Sequence, residues 1–366
     1  CDMSGTEPFS PSVELARELV IRHGWNATSY QILNPGIEHW FSPRHQAVVG
    51  YTRRADRLLV AGAPVCAGEA LAAVCEEFEA SARQQGRRVC YVCAEERLRA
   101  LFARSPHHAT VALGAQPAWN PLNWPEVVRN RPSLRAQLRR AVNKGVVVEP
   151  VSPARAATDA ALRRILLEWV AGRPLPPLHF LVEPNVLDGV LTDRLILTAR
   201  RRGVPVAFLV ASPAKARAGY LIELLARSSS APNGVSELLI HTAMRRLAAE
   251  GCRYVTLGLV ALAHAADEAI RRNPRWLRTL MYYARAHANR FYNFRGLEQF
   301  RVKMSPECWD TIYAISNEPR FSPRTLYAVG GAFSGIPPWA AITLGLAKAA
   351  RQELRRVFKR RAGNGM

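Results

Sequence analysis

The chain has 366 residues, 49% of them hydrophobic, which excludes a segment too short to build its own core and allows two domains or a fused pair. Lys and Arg number 50 against 29 Asp and Glu, a formal charge of +21 that favours a polyanionic partner, nucleic acid or an anionic membrane surface, and says nothing of the fold. The cysteines, at 1, 66, 75, 90, 93, 252 and 308, are odd in number and exclude a secreted disulfide framework.

In chain order, CDMSGTEPFSPS reads as a disordered lead with no visible signal peptide. A helix is expected from Val13 to His23, then strands at Ala47 to Tyr51 and Arg57 to Ala61, a helix from Glu69 to Gln85, and a strand from Val89 to Cys93. Cys90-Tyr-Val-Cys93 falls in that apolar run, and without a second CxxC or a nearby His pair it reads as buried strand, with no metal site. His107-His108, with no carboxylate at metal spacing, reads as a surface turn. Arg131, Arg135, Arg139, Arg140 and Lys144 follow with no intervening acid, and the 135/139 and 140/144 spacings set pairs on neighbouring turns of one basic helix.

After Pro150 the order repeats: a helix from Ala156 to Ala171, strands at Leu195 to Ala199, Val206 to Ala211 and Gly219 to Leu225, a helix from Val235 to Glu250 and a strand from Tyr254 to Leu259. The strand, helix, strand order given twice predicts a tandem α/β molecule joined by the basic helix. Glu223, in the run GYLIELL, is costly to bury unpaired and invites Arg227 or Arg217 as partner. Arg271 to Arg295 mixes arginines with Trp276, Tyr282, Tyr283, Phe291 and Tyr292, which suits phosphate contact and stacking on an unpaired nucleotide, or a solvated helical face over an aromatic core. Phe300-Arg301-Val302-Lys303-Met304 alternates apolar and basic, so a strand is expected with Arg301 and Lys303 on one face, before a second strand from Thr311 to Ile315. Residues 325–347 lack charge and precede a basic stretch to Arg361. Pro337-Pro338 argues against a straight span, leaving an interfacial or re-entrant anchor, or a Pro-broken cap on the body.

Tyr292, Asn293, Phe294, Gly296, Leu297, Phe300, Arg301, Lys303, Met304, Pro306, Trp309 and Tyr313 resemble the C-terminal pattern YNFxGLxxFKxKFxPxWxxxY of the aminoacyl-phosphatidylglycerol synthases, also called multiple peptide resistance factors, with Arg301 and Met304 as mild departures. Gly62-Ala63-Pro64-Val65 stands where that family tends to have GDPV. The stretch from Ser133-Leu134-Arg135 to Asn143-Lys144-Gly145 resembles its basic helix, and Ala231-Pro232-Asn233-Gly234 and Leu257-Gly258-Leu259 complete an ordered series over roughly residues 30–315.

The resemblance implies two tandem acetyltransferase-like (GNAT-like) folds, expected over residues 1–149 and 150–322, with 323–366 as a tail and possible membrane anchor. It implies aminoacyl transfer from an aminoacyl-tRNA to a hydroxyl of a membrane lipid, expected to be phosphatidylglycerol, with no cofactor and no metal. The donor is already an activated ester, so the protein need mainly hold both substrates, take a proton and stabilise developing charge. Glu223 aligns with the Asp of the family's DLMR and Glu237 with a second Asp after the Asn-Gly turn, while the Arg of DLMR falls on Ala226 with Arg227 displaced by one. Glu223, Glu237 and Lys303 are thus expected to be catalytic, and Arg301, Tyr292, Asn293, Asn233 and Arg227 to bind substrate. Arg135, Arg139, Arg140 and Lys144 are expected to take tRNA phosphate, at the cytoplasmic face of the cell membrane, peripheral or tail-anchored. The competing expectations are an acyl-CoA-dependent acyltransferase of the same fold, against which no Q/R-x-x-G-x-G/A loop is found, and a non-catalytic basic protein that binds membrane or RNA.

Overall fold

Hydrophobic runs of two-residue period alternate with helices of apolar stripe, and the chain lays them down as two successive units. The computed structural model describes residues 10–172, 179–183, 186–187, 192–287 and 294–334, and Tyr292 and Asn293 lie outside them. The first unit holds α1 (Pro11–His23), β1 (Glu38–Phe41), β2 (Val48–Arg54), β3 (Arg57–Ala61), α2 (Leu71–Gln84), β4 (Arg88–Ala94), α3 (Glu96–Phe102) and β5 (Ala109–Trp119). Helices α4 (Trp124–Asn130) and α5 (Pro132–Asn143) lead to β6 (Val146–Val151), α6 (Pro153–Thr158), α7 (Ala160–Ala171), β7 (Leu195–Arg201), β8 (Val204–Ala214), β9 (Gly219–Arg227), α8 (Val235–Ala249) and β10 (Tyr254–Thr256). The chain continues through β11 (Val260–Ala261), α9 (Asp267–Arg271), α10 (Arg275–His287), α11 (Phe294–Lys303), β12 (Cys308–Ser316) and α12 (Pro323–Ser334).

The repeat is visible in the pairing. β2 and β3 are antiparallel and β3 and β4 parallel, with α2 as the crossover; β8 and β9 are antiparallel and β9 and β10 parallel, with α8 as the crossover. Parallel neighbours need such a crossover, which is why each unit carries a long helix at that point. The molecule is therefore α/β with tandem acetyltransferase-like units, the basic helix α5 standing between them. The strands of the described residues join one sheet in the order β1-β2-β3-β4-β12-β5-β10-β9-β8-β7-β6, with β11 on β5.

Alternate residues of each strand face different cores, as the strand period requires. Leu58, Val60, Val89 and Tyr91 pack with Val74 and Phe78 of α2, whereas Leu59, Ala61, Cys90 and Val92 turn to the face covered by α1, α10 and α12. In the second unit Ile196, Phe208 and Val210 pack with Leu162 and Ile165 of α7, and Leu197, Leu209 and Ala211 with Leu239 and Ala243 of α8.

Several expectations change. Phe300 to Lys303 is helix, not strand: Leu297, Phe300 and Met304 repeat at three and four residues, and Phe300 and the fully buried Met304 join the core under α8. Arg301 and Lys303 accordingly point to different sides of α11. The expected helix from Ala156 to Ala171 breaks at Asp159, whose carboxylate accepts from the backbone N–H of Ala161 and Leu162 and caps α7. His108 does find a carboxylate, with Nε2 2.9 Å from Glu79 Oε1 and its ring stacked on Phe102 at 3.9 Å. Cys90 and Cys93 are buried in β4, and burial pushes the Cys93 thiol up to about 12. The start of the charge-free run is α12, a packed helix with Ala328, Val329 and Ala332 buried, tied to the body where Arg57 Nε donates to Thr325 Oγ1 at 2.8 Å. Residues 335–366 lie outside the described ones.

Candidate active site

β9 and β10 are paired only where Gly219, Tyr220 and Leu221 meet Tyr254, Val255 and Thr256. Beyond that point β9 continues along β8 to Arg227, while the other chain turns through Gly258, at φ +71°, and joins β5 as β11. The two strands part, and a cavity of about 1010 Å³ opens between them. Glu223 and Arg227 of β9, Asn233 and Glu237 at the start of α8, Arg140 of α5 and Arg301 of α11 are the charged and polar groups along its wall singled out in the sequence. Leu277, Leu280 and Met281 of α10 and Leu326, Val329 and Phe333 of α12 add an apolar lining.

The Ala231-Pro232-Asn233-Gly234 turn aims α8 at this space. Gly234 sits at φ +92°, where a Cβ would lie 2.2 Å from Gln137 O, so only glycine lets α5 pack so near. Leu134, Leu138 and Ala141 hold α5 there through its buried stripe and leave Arg139, Arg140 and Lys144 exposed. Arg135 turns back, with Nη1 donating to Val128 O at 3.1 Å, and closes the C-terminus of α4.

The carboxylates are held in different ways. Glu223 Oε1 lies 2.7 Å from Arg194 Nε, and its Oε2 accepts from Gln31 Nε2 at 2.9 Å. Gln31 Nε2 also donates to Ser212 Oγ at 2.8 Å, fixing the amide. Arg194 rests over Tyr30, with Cζ 5.5 Å from the ring centroid, and Tyr30 donates its hydroxyl to Asp193 at 3.1 Å. Burial, with Asp193 beside it, raises the Tyr30 phenol far above its ordinary range and keeps it a donor. Arg194, not Arg227 or Arg217, is thus the partner of Glu223. Glu237 Oε1 accepts from Lys303 Nζ at 2.8 Å, so two residues 66 positions apart meet at the cavity edge. The N-terminus of α8 adds a partial positive charge at the same place.

Arg217 belongs to a separate cluster where the two units join. It bonds Glu95 at 2.5 Å and Asp310 at 3.3 Å, and its Cζ lies 3.5 Å from the Tyr254 ring centroid. Burial raises the Glu95 carboxyl, and the neighbouring Arg217 opposes that rise.

Of the residues singled out in the sequence, Glu223, Glu237, Asn233, Arg227, Arg301 and Arg140 share one cavity, and Lys303 reaches it through Glu237. Arg301 Nη2 donates to Leu257 O at 2.8 Å, binding α11 to the chain where it leaves β10. Sequence reasoning missed Arg194 and Gln31. The one signal was the charged pair Asp193-Arg194 at the mouth of an apolar strand. Among the described residues no group of three or more His, Cys, Asp or Glu is placed to hold a metal ion.

A sheet that opens beside a parallel strand pair, over two carboxylates each held by its own cation, defines the class: an α/β protein with a cleft of mixed polar and apolar lining. The sequence matches the family described as Phosphatidylglycerol lysyltransferase, C-terminal, over residues 17–316, and the chain belongs to that family. It is a transferase domain of the lysyl-phosphatidylglycerol synthase type. Among solved structures it is similar to the C-terminal domain of a putative lysylphosphatidylglycerol synthetase from Agrobacterium fabrum, at 20% identity and a TM-score of 0.71, over 88% of this chain and 97% of that one. L-PGS from Bacillus licheniformis is similar at 20% identity and a TM-score of 0.71, over 89% of this chain and 97% of that one. A conserved protein of unknown function from Bacteroides thetaiotaomicron follows at 11% identity and a TM-score of 0.59, over 83% and 96%. No curated protein sequence matches the chain.

Proposed function

We propose that the chain transfers an amino acid from an aminoacyl-tRNA to a hydroxyl of phosphatidylglycerol at the cytoplasmic membrane face. The observation that carries this reading is the mixed lining of the cleft: Glu223, Glu237 and Arg140 border it together with the leucines of α10 and α12. An amphiphilic acceptor fits such a space with its head group among the charges. Arg140 lines the cleft, and with the exposed Arg139 and Lys144 it supplies cations for tRNA phosphates.

The reaction is a transesterification. The lipid hydroxyl oxygen bonds to the carbonyl carbon of the aminoacyl ester, the bond from that carbon to the ribose oxygen breaks, and the hydroxyl proton ends on the ribose oxygen. Glu237 is the proposed proton carrier, with Lys303 orienting its carboxylate. Glu223, fixed by Arg194 and Gln31, is the proposed site for the ammonium of the donor amino acid. The ester is already activated, so no cofactor enters the scheme. Among the described residues no helix is long and apolar enough to cross a membrane, so the proposed attachment of the described body is peripheral, and an anchor in 335–366 remains part of the proposal.

The test is to incubate the protein with tRNA charged with labelled lysine, or separately alanine, and with phosphatidylglycerol vesicles. The label is expected in the organic phase only when charged tRNA and lipid are both present. Label that stays aqueous with every charged tRNA overturns the proposal.

A further inference from the structure

α10 buries one stripe and shows another. Leu277 and Met281 enter the core, while Trp276, Leu280 and Tyr283, spaced by four and three residues, form a second stripe on its flank with exposures of 36%, 46% and 63%. That flank is not remote from the site, because Leu280 also lines the cavity. From Asp267 to His287 the chain carries five arginines against two acids, and Arg271, Arg272 and Arg275 are exposed. An aromatic and aliphatic stripe on a cationic helix has the composition of a segment that lies at a bilayer interface.

We infer that the Trp276, Leu280 and Tyr283 flank of α10 docks onto an anionic bilayer surface and forms the lip over which the acceptor lipid enters the cavity. The inference rests on the proposed lipid acceptor for its purpose, though not for its physics. Trp276 and Leu280 enter the boundary between head groups and acyl chains, where apolar area leaves water. The neighbouring arginines meet lipid phosphates, and the attraction is partly screened by salt. Continuity explains why the stripe stands at this place: a lipid crossing Leu280 keeps its chains against Leu277, Met281 and the apolar side of α12, while its head group moves toward Glu223 and Glu237. An RNA surface would account for the arginines and the aromatic rings but gives the exposed Leu280 no role.

The experiment is flotation of the full chain with vesicles of phosphatidylglycerol and phosphatidylcholine, compared with phosphatidylcholine alone. The wild type is expected to float with the anionic vesicles. Trp276→Ser combined with Leu280→Ser should weaken that binding by roughly tenfold or more at an unchanged melting temperature. Tyr282→Ser, an exposed position off the stripe, should bind as the wild type does. If the double variant does not fold, Trp276→Phe serves instead: it should remove part of the fluorescence quenching caused by brominated lipid. Flotation of the double variant at wild-type strength, an equal loss in Tyr282→Ser, quenching unchanged in Trp276→Phe, or a wild type that does not float each overturns the inference. So does a double variant that loses binding of charged tRNA and keeps its vesicles, since the flank would then be an RNA surface. Flotation needs no transfer activity, so an inactive wild type with stripe-dependent flotation removes the proposed function and leaves the docking surface standing.

Discussion

Lys303 and Glu237 make an ion pair in which the carboxylate side chain is 10% exposed and the lysine 31%. Removing the cation leaves a nearly buried carboxylate without its counter-charge, and the cost is that of desolvation left uncompensated, about 1–3 kcal/mol. Lys303→Ala is therefore expected to lower the melting temperature as well as transfer, and Lys303→Met combined with Glu237→Gln to regain part of the lost stability. Thermal unfolding checks this, and an unchanged melting temperature in Lys303→Ala would show that the pair is not formed in solution. A solvated cation on an edge strand would have cost almost nothing to remove. The helical period of α11 is what turns Lys303 toward Glu237.

His241 offers a test by pH. Its Nδ1 accepts from Trp124 Nε1 at 3.0 Å, which requires the neutral ring, and burial together with Arg245 holds the imidazole below its ordinary value. A folded value below the unfolded one means that the unfolded chain takes up the proton first. The contribution is complete above the unfolded value of about 6.5 and is lost as pH falls through it toward the lower folded value. Denaturant unfolding between pH 8 and pH 5 should show a loss of stability of at most about 1.4 kcal/mol per pH unit from this one group. In His241→Gln that part of the slope should vanish, and an unaltered slope would remove His241 as its source.

Among the elements, α8 depends most on a single backbone position. Gly234 combines φ +92° with Gln137 O at 2.2 Å from a built Cβ, so Gly234→Ala meets both backbone strain and a clash with α5. The strain alone costs on the order of 1–3 kcal/mol. Unfolding in denaturant should show at least that loss, and a variant as stable as the wild type would mean that α5 is packed elsewhere. The Asn-Gly turn and the helix after it were legible because turn residues precede an apolar stripe. Strands β3, β4, β7, β8 and β9 were legible for a similar reason, as short runs of β-branched and leucine residues. β5 was not, since Gly114 and Pro117 interrupt its pattern, nor was β6, where Pro150 is tolerated because the strand lies at the sheet edge. The two-residue alternation over 300–304 concealed a helix because the apolar positions that count, Leu297, Phe300 and Met304, begin before it.

At the scale of the molecule, the last of the described strands in sequence lies inside the first unit. β12 pairs with β4 on one side and β5 on the other, and its Asp310 meets Arg217 from the turn just before β9. No local pattern announces such a return, because the partners are set by which edges remain free after both units have formed. The same limit holds for the site. Glu223 and Glu237 stood out through their places in a family pattern, while Arg194, Gln31 and the meeting of Glu237 with Lys303 depend on long-range packing.

Transfer is proposed to occur in the cleft that opens beside β9, with Glu237 carrying the proton. Its most direct test is single-turnover transfer from lysyl-tRNA or alanyl-tRNA to phosphatidylglycerol vesicles, comparing Glu237→Gln with the wild type at saturating donor. The transfer rate is expected to fall roughly a hundredfold or more, with donor affinity changed far less. Glu237→Gln that folds, binds the donor and transfers at the wild-type rate would contradict it.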